Sequence, residues 1–385
     1  MHRVGDILVS ESSDIEKLKV AIVHDWLVNY RGSERVLLEL SKIFPNAVLF
    51  ASVLDKDKLP EELKRREIHT TFIQRLPNAV KWYQKYLFLM PFAYRMLDLR
   101  GFDLVISSSH SCAKGIVPAK GALHVCYCYT PMRYAWSGFK EYRNTLQSRI
   151  SRLLMTILMF WMRQWDLSVN SRVDQFIAIS HEVQRRIQRY YHRESVIIFP
   201  GIPVTGRHLY GSLDTVVPFL TDEPYYLSLG RLVAYKRIDL AIEACNILHR
   251  NLVVAGTGQE LQRLKASAGP TIFFIEEFTD EEAATLYLHC DAFLFPGEED
   301  FGLTVLEAQV HGSPVIAYGR GGVEDTMIDQ KTGIFFLEQT VDSLVQAIEQ
   351  SECVRYDKDF IKDHAATFSN DHFQRRILEF VKSKL

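Results

Sequence analysis

Two glutamates, Glu299 and Glu307, stand with seven residues between them in the stretch Phe295-Pro296-Gly297-Glu298-Glu299-Asp300-Phe301-Gly302-Leu303-Thr304-Val305-Leu306-Glu307-Ala308. The apolar run Ala292 to Phe295 reads as a buried parallel strand. It breaks at Pro296-Gly297 into an acidic turn. Gly302 then opens an apolar helix expected to carry Glu307 in its first turn. A helix start presents free N–H groups and the positive end of the dipole, which suits a phosphate. Carboxylates accept hydrogen bonds from hydroxyls and do not themselves hold a phosphate. Together they suit a ligand with both parts, a sugar joined to a nucleoside diphosphate. An acidic loop that merely caps a surface helix uses the same residues, because Asp and Glu favour first turns. This stretch alone leaves both readings open.

A cationic group lies earlier in the chain. Gly230-Arg231-Leu232, followed by Lys236-Arg237, comes directly after the strand-like Tyr225–Leu229 and leads into a helix from about Arg237. A leaving diphosphate needs positive charge where the sugar–oxygen bond breaks. Arg supplies a bidentate fork and Lys a point charge. The alternative is a solvated basic loop. Gly256-Thr257-Gly258 follows the run Leu252–Ala255 as a short glycine turn, a much weaker signal than a full dinucleotide fingerprint. In the first half, His110 follows the strand-like Leu104–Ser107. A lone histidine is often only a structural hydrogen-bonder.

These groups need a scaffold that brings strand ends together. Lys19–Val23, Ala47–Val53, Leu104–Ser107 and Val173–Ile179 read as strands, with a helix from Ser33 to about Ile43 and another over His181–Tyr191 capped by Ser180. The pattern restarts after Ser195–Phe199 and the stiff crossing Pro200-Gly201-Ile202-Pro203. Tyr225–Leu229, Leu252–Ala255, Thr271–Ile275, Ala292–Phe295 and Pro314–Ala317 then each precede a loop and a helix. Such alternation predicts an α/β protein with two doubly wound parallel sheets, whose ligands bind at strand C-termini. The expected divisions are a loose extension over 1–16, a first domain over 17–203, a second over 204–360, and a helical C-terminal segment over 361–385.

Composition is ordinary for a globular chain of 385 residues, long enough for two cores. The net charge of −2 hides a split: residues 1–200 hold 29 Lys+Arg and 19 Asp+Glu, and residues 201–385 hold 16 and 28. A basic first half suits an anionic acceptor or membrane surface, or simply attracts the acidic second half. No nucleic-acid partner is expected. Six cysteines are scattered among apolar neighbours without zinc spacing, which points to a reduced, cytosolic chain. Residues 1–16 are polar and mixed, unlike a signal peptide.

The Glu299–Glu307 segment resembles the Glu-seven-residues-Glu motif of the family 4 retaining glycosyltransferases. So does nearly the whole chain from about Lys19. His24-Asp25-Trp26-Leu27, Arg31-Gly32-Ser33-Glu34-Arg35, Ser107-Ser108-Ser109-His110 and Tyr129-Thr130-Pro131-Met132-Arg133-Tyr134-Ala135-Trp136 are similar to the bacterial O-antigen and surface-polysaccharide mannosyltransferases. The resemblance implies the GT-B fold: two Rossmann-like domains facing across a cleft, with the C-terminal helix crossing back to the first. It implies GDP-mannose as donor and a glycan acceptor, lipid-linked in this subgroup.

Residue by residue, the resemblance assigns Arg231 and Lys236 to the donor pyrophosphate and Glu307 to the ribose hydroxyls. Glu299 takes hydroxyls of the transferred sugar, beside the backbone of Phe301, Gly302, Leu303 and Thr304. Gly230 and Gly256 lie near the nucleotide, and the base near Glu277 and Phe278. Relatives commonly have glycine where Glu276 stands here. Gly32 is placed on the loop after the first strand, with Arg31 where relatives often have another glycine. His110 is assigned to the donor sugar and the reacting centre. Asp25 and Arg133 are acceptor-side contacts. Gly321-Gly322 resembles a late glycine turn below the donor. The catalytic set is thus His110, Arg231, Lys236 and Glu299. No metal or other cofactor is expected.

Leu153–Met162, flanked by Arg149, Arg152 and Arg163, and the aromatic-rich Ala79–Leu97, with Lys81, Lys85 and Arg95, suit peripheral contact with an anionic membrane. Alternatively both pack on the first sheet. Competing functions are an epimerase or phosphorylase on the same fold, and a sugar-nucleotide-binding scaffold without catalysis.

Overall fold

The computed structural model describes residues 17–204, 216–217 and 223–385; the extension expected over 1–16 lies outside them. The chain divides into two compact units. One runs to Pro200 and includes Phe373–Leu385, and the other is Gly201–His372.

The first unit is built on strands β1 (Val20–His24), β2 (Val48–Ala51), β3 (Ile68–Thr70), β4 (Leu104–Ser109), β5 (Leu123–Cys128), β6 (Gln175–Ala178) and β7 (Val196–Ile197). All pair in parallel, in the order β3-β2-β1-β4-β5-β6-β7. Helices cover both faces of such a sheet, so its central strands are buried throughout: no residue of β1 or β4 is exposed. Helix α1 (Gly32–Ile43) follows β1. Gly32, expected on the preceding loop, is the first residue of this helix, whose start is closed by the Glu34 carboxylate accepting from the Arg31 N–H at 3.0 Å. Ser180 caps the helix His181–Tyr191 by accepting from the Val183 N–H, as its sequence predicts.

The second unit holds β8 (Tyr225–Leu229), β9 (Asn251–Ala255), β10 (Ile272–Ile275), β11 (Ala292–Phe295), β12 (Val315–Tyr318) and β13 (Gly333–Phe336). They too are parallel, in the order β10-β9-β8-β11-β12-β13. In each sheet the winding reverses once, between β1 and β4 and between β8 and β11. At such a switch point neighbouring loops part and leave room for a ligand.

Four features differ from the sequence reading. Strands β3 and β13 were not anticipated. β3 is only three residues on a half-exposed edge, and β13 begins with a glycine. Ala79–Leu97 is not one helix but three short pieces, Ala79–Trp82, Tyr83–Leu89 and Met90–Arg95. The C-terminal segment is two helices, Lys358–Ala366 and Asn370–Lys382. The former packs on Leu303–Val310 and belongs to the second unit, so the chain returns to the first unit at Phe373. There Phe373 meets Tyr127, with ring centroids 5.7 Å apart, and Gln374 donates to Glu39 at 2.6 Å.

Candidate active site

In the second unit, the C-terminal ends of β8, β9 and β11 meet at the switch point. The turn after β8 needs glycine: Gly230 has φ +140°, and a Cβ there would lie 2.8 Å from Lys236 Nζ. Gly256, after β9, has φ +138°, and a Cβ there would lie 1.9 Å from the Gly230 carbonyl oxygen. The two turns are also tied by hydrogen bonds, Gly230 N–H to the Ala255 carbonyl and Leu232 N–H to the Thr257 carbonyl, each 2.9 Å. Gly256-Thr257-Gly258 therefore shapes the Gly230–Leu232 turn directly.

Past this turn, a short helical segment, Ala234–Lys236, sets Lys236 against the loop after β11. A Cβ on Gly297 would lie 2.7 Å from the Lys236 Cα, so that loop can approach only as glycine. The result is an ion pair: Lys236 Nζ lies 2.9 Å from Glu299 Oε1, with the two side chains 12% and 20% exposed. Burial pulls the ammonium pKa down, but the Glu299 carboxylate, with help from Tyr235 and Glu307, more than offsets it and holds Lys236 above its ordinary value. Lys236 is thus a fixed cation. Arg231 is exposed beside the same turn. Arg237 has a left-handed backbone and pairs with Asp239 at 3.2 Å.

The loop bearing Glu299 is held from below by the late glycine turn. Gly322 N–H donates to the Glu299 carbonyl at 2.8 Å, and a Cβ on Gly322 would lie 2.1 Å from the Phe301 Cα. The Phe301 side chain is buried, its ring 6.1 Å from that of Phe368. The helix Leu303–Val310 then begins. Gly302 is its N-cap, with φ +88° and no side-chain cap. Its glycine is required by that left-handed backbone rather than by close approach, since a Cβ would find only ordinary contact with Val305. Thr304 Oγ1, in the first turn, is buried with no hydrogen-bond partner among the described residues. Glu307 falls in the second turn, not the first, because the helix starts at Leu303. The Tyr287 hydroxyl reaches its Oε2 at 3.4 Å. Phe278 is half-buried beyond the end of β10, packed against the core of the second unit. Glu276, where relatives have glycine, pairs with Lys265 at 2.6 Å. Arg231, Lys236, Glu299 and the uncapped helix start thus share one end of one sheet.

The first unit has its own polar centre at the β1/β4 switch point. Asp25 was expected to face an acceptor. It is instead fully buried, and its carboxylate accepts four main-chain N–H groups. Oδ2 takes those of His110 and Ser111 at 2.6 and 2.8 Å, and Oδ1 those of Cys112 and Ala113, both at 2.7 Å. Every lone-pair direction is committed to the turn after β4. Asp25 thereby fixes His110, whose Nδ1 is 3.3 Å from Oδ2 and whose ring meets Trp26 edge-on at 4.6 Å. The His110 side chain is 24% exposed, so it can reach a ligand. Arg133 is half-buried in a turn tied to this one by Tyr134, whose hydroxyl lies 2.5 Å from Ser111 Oγ.

Sequence reasoning gave no role to a buried chain beneath His110. His24 Nδ1 is 3.0 Å from Ser108 Oγ, which is 2.9 Å from the Tyr129 hydroxyl, which donates to the Ser33 carbonyl. His24 Nε2 faces Glu34 Oε1 at 3.8 Å. Burial pushes the Glu34 carboxyl up, but the nearby His24 outweighs it, so Glu34 sits below the ordinary carboxylate range. The local signal was Glu34 in the first turn of a helix, where a carboxylate takes up a free main-chain N–H, here that of Arg31.

Residues 30–205 match the model of Glycosyltransferase Family 4, and residues 214–355 match that of Glycosyl transferases group 1. A glycogen synthase of Thermodesulfovibrio yellowstonii is 27% identical over 190 residues, 47% of this chain and 35% of its own length. The alpha-1,3/1,6-mannosyltransferase ALG2 of Dictyostelium discoideum is 28% identical over 159 residues, 34% of this chain and 38% of that protein. The chain thus matches little more than a third of the length of these curated relatives. Among solved structures, Anabaena Alr3699/HepE in complex with UDP-glucose aligns with a TM-score of 0.67 at 14% identity, covering 94% of this chain and 99% of that one, a likeness of fold. With two parallel doubly wound sheets and two family models following one another along it, the chain belongs to the family 4 glycosyltransferases and has the GT-B architecture.

Proposed function

We propose that this protein transfers mannose from GDP-mannose, with retention of anomeric configuration, to a hydroxyl of a lipid-linked glycan in surface-polysaccharide synthesis, as a peripheral protein on the cytoplasmic face of the membrane. The observation that carries the reading is the Lys236–Glu299 pair at 2.9 Å beside an uncapped helix start. A nucleotide sugar answers both members at once. Its diphosphate takes Lys236, Arg231 and the first N–H groups of Leu303–Val310. Its sugar hydroxyls donate to Glu299, and its ribose hydroxyls to Glu307. The bond from the anomeric carbon to the β-phosphate oxygen breaks, and a bond to the acceptor oxygen forms on the same face. The acceptor proton passes to the leaving phosphate, which departs as GDP. Charge on that leaving group grows as the bond breaks, and fixed cations stabilise it by several kcal/mol. His110, held by Asp25, contacts the transferred sugar.

Lys236 and Arg231 supply the charge that a metal supplies elsewhere, so the reaction is proposed to be metal-independent. Activity unchanged by EDTA is expected, and loss restored by manganese would contradict it. Support for mannose comes from the mannosyltransferase among the relatives and from the first-half motifs. Thermal-shift screening against GDP-, UDP- and ADP-sugars tests the donor, because a ligand that binds only the folded state raises its melting point. The largest shift is expected with GDP-mannose. A larger one with a UDP- or ADP-sugar would reassign the base, and none with any of them would sink the reading.

A further inference from the structure

The helix Arg149–Ser168 carries two apolar faces. One is ordinary: Met159 and Met162 are buried in the first unit's core, with Met155, Leu158 and Trp165 packed against it. The other faces outward. Ile150, Leu153, Leu154, Ile157 and Phe160 are 71, 61, 61, 59 and 63% exposed. Their spacing of three and four residues makes one continuous stripe. Trp161 joins this stripe to the segment Tyr83–Arg95, its ring stacked 6.2 Å from that of Phe92. Phe88, Phe92 and Met96 extend the stripe there, at 46, 55 and 73% exposure. Single exposed apolar residues need no explanation, but a contiguous surface of several hundred Å² marks an interaction site.

Charge selects the occupant. From Ile68 to Leu97 and from Tyr142 to Trp165 the sequence contains no Asp or Glu, but eight cations: Arg75, Lys81, Lys85, Arg95, Arg143, Arg149, Arg152 and Arg163. The nearest acid on the long helix, Asp166, is buried and paired with Lys114 at 2.7 Å. A second copy would set this cationic surround against itself. An acidic protein would satisfy the cations but has no need of so broad an aliphatic stripe. An anionic bilayer surface answers both, taking aliphatic and aromatic side chains into the acyl boundary and cations at the headgroups. Among the described residues no helix is long and apolar enough to cross a membrane, so the contact is in-plane.

We infer that the outward face of Arg149–Ser168, together with Phe88, Phe92 and Met96, is a docking surface for an anionic lipid bilayer. The inference deepens the proposal above and rests on its lipid-borne acceptor for a purpose. Its test is independent of that reading. The full chain is sedimented at low salt with vesicles of phosphatidylcholine alone and of equimolar phosphatidylcholine and phosphatidylglycerol. Binding to the mixed vesicles is expected to exceed that to phosphatidylcholine by about tenfold or more. The double substitution Leu153→Ser, Phe160→Ser should lower it by a similar factor, since both side chains sit in water before binding. Circular dichroism melting of the variant should match the parent. Failure to bind the mixed vesicles, or binding indifferent to the double substitution, overturns the inference. So does light scattering that shows a dimer which the double substitution dissolves. Donor-induced thermal shifts are read in the same samples without lipid. Their loss would defeat the donor assignment while leaving vesicle binding standing, and the reverse.

Discussion

Asp25→Asn should unfold the first unit far more readily than an isosteric change suggests. The carboxylate accepts four main-chain N–H groups at 2.6–2.8 Å, two on each oxygen. An asparagine keeps one oxygen and turns an NH2 toward the other two donors, whichever way the amide is flipped. Two hydrogen bonds to a charged group are lost, at about 1.5–3 kcal/mol each, and their donors stay buried without partners. The expected cost is about 3–6 kcal/mol, a large share of the ~5–15 kcal/mol that keeps a domain folded. All five tryptophans, Trp26, Trp82, Trp136, Trp161 and Trp165, lie in the first unit, so their fluorescence reports its unfolding alone. With the urea slope of about 3 kcal/mol per molar expected of a unit this large, the midpoint should fall by roughly 1–2 M. Because the same carboxylate aims His110, turnover should fall in molecules that remain folded. A midpoint within about 0.3 M of the parent would refute the reasoning, since it would mean that the four N–H groups find water or other partners at little cost.

Acid should weaken the same unit through His124. Burial pushes its imidazole down to about 4 from 6.5, although the Arg172 carbonyl and Asp174 pull the other way. Above pH 6.5 both states are neutral, and between 6.5 and 4 only the unfolded chain takes the proton. Stability therefore falls as pH falls through that window, by roughly 3 kcal/mol near the lower end. His124→Gln should flatten this part of a pH series of urea midpoints, and an unchanged slope would count against the assignment. In the second unit, Gly256→Ala forces a side chain onto a φ of +138° and against the Gly230 carbonyl. A loss of about 2 kcal/mol or more in calorimetric unfolding of that unit is expected, together with loss of the donor-induced shift. A full donor response would show that the turn adjusts.

Much of this architecture was legible because main-chain patterning is local. Buried parallel strands are continuous apolar runs, so β1, β8 and β11 were placed within a residue or two. Glycines mark the turns that need them, and Gly230, Gly256 and Gly302 do have left-handed φ values. What stayed hidden was pairing across sequence. The donors to Asp25 lie 85 to 88 residues away, and a buried aspartate has no local signature that separates it from a ligand contact. Spacing likewise suggested that Lys236 and Glu299 serve one ligand, but not that they pair with each other. Edge strands as short as Ile68–Thr70 are fixed by their neighbour β2 rather than by their own composition. The return of the chain to the first unit, at Phe373 within the last helix, is likewise announced by no periodicity.

The central claim is that Lys236 stabilises a departing diphosphate. It is tested by the turnover of Lys236→Ala at saturating GDP-mannose, with melting curves to confirm folding. One lost charge-assisted contact of about 3 kcal/mol predicts a kcat lower by ~100-fold or more. A kcat within a few-fold of the parent would contradict the account.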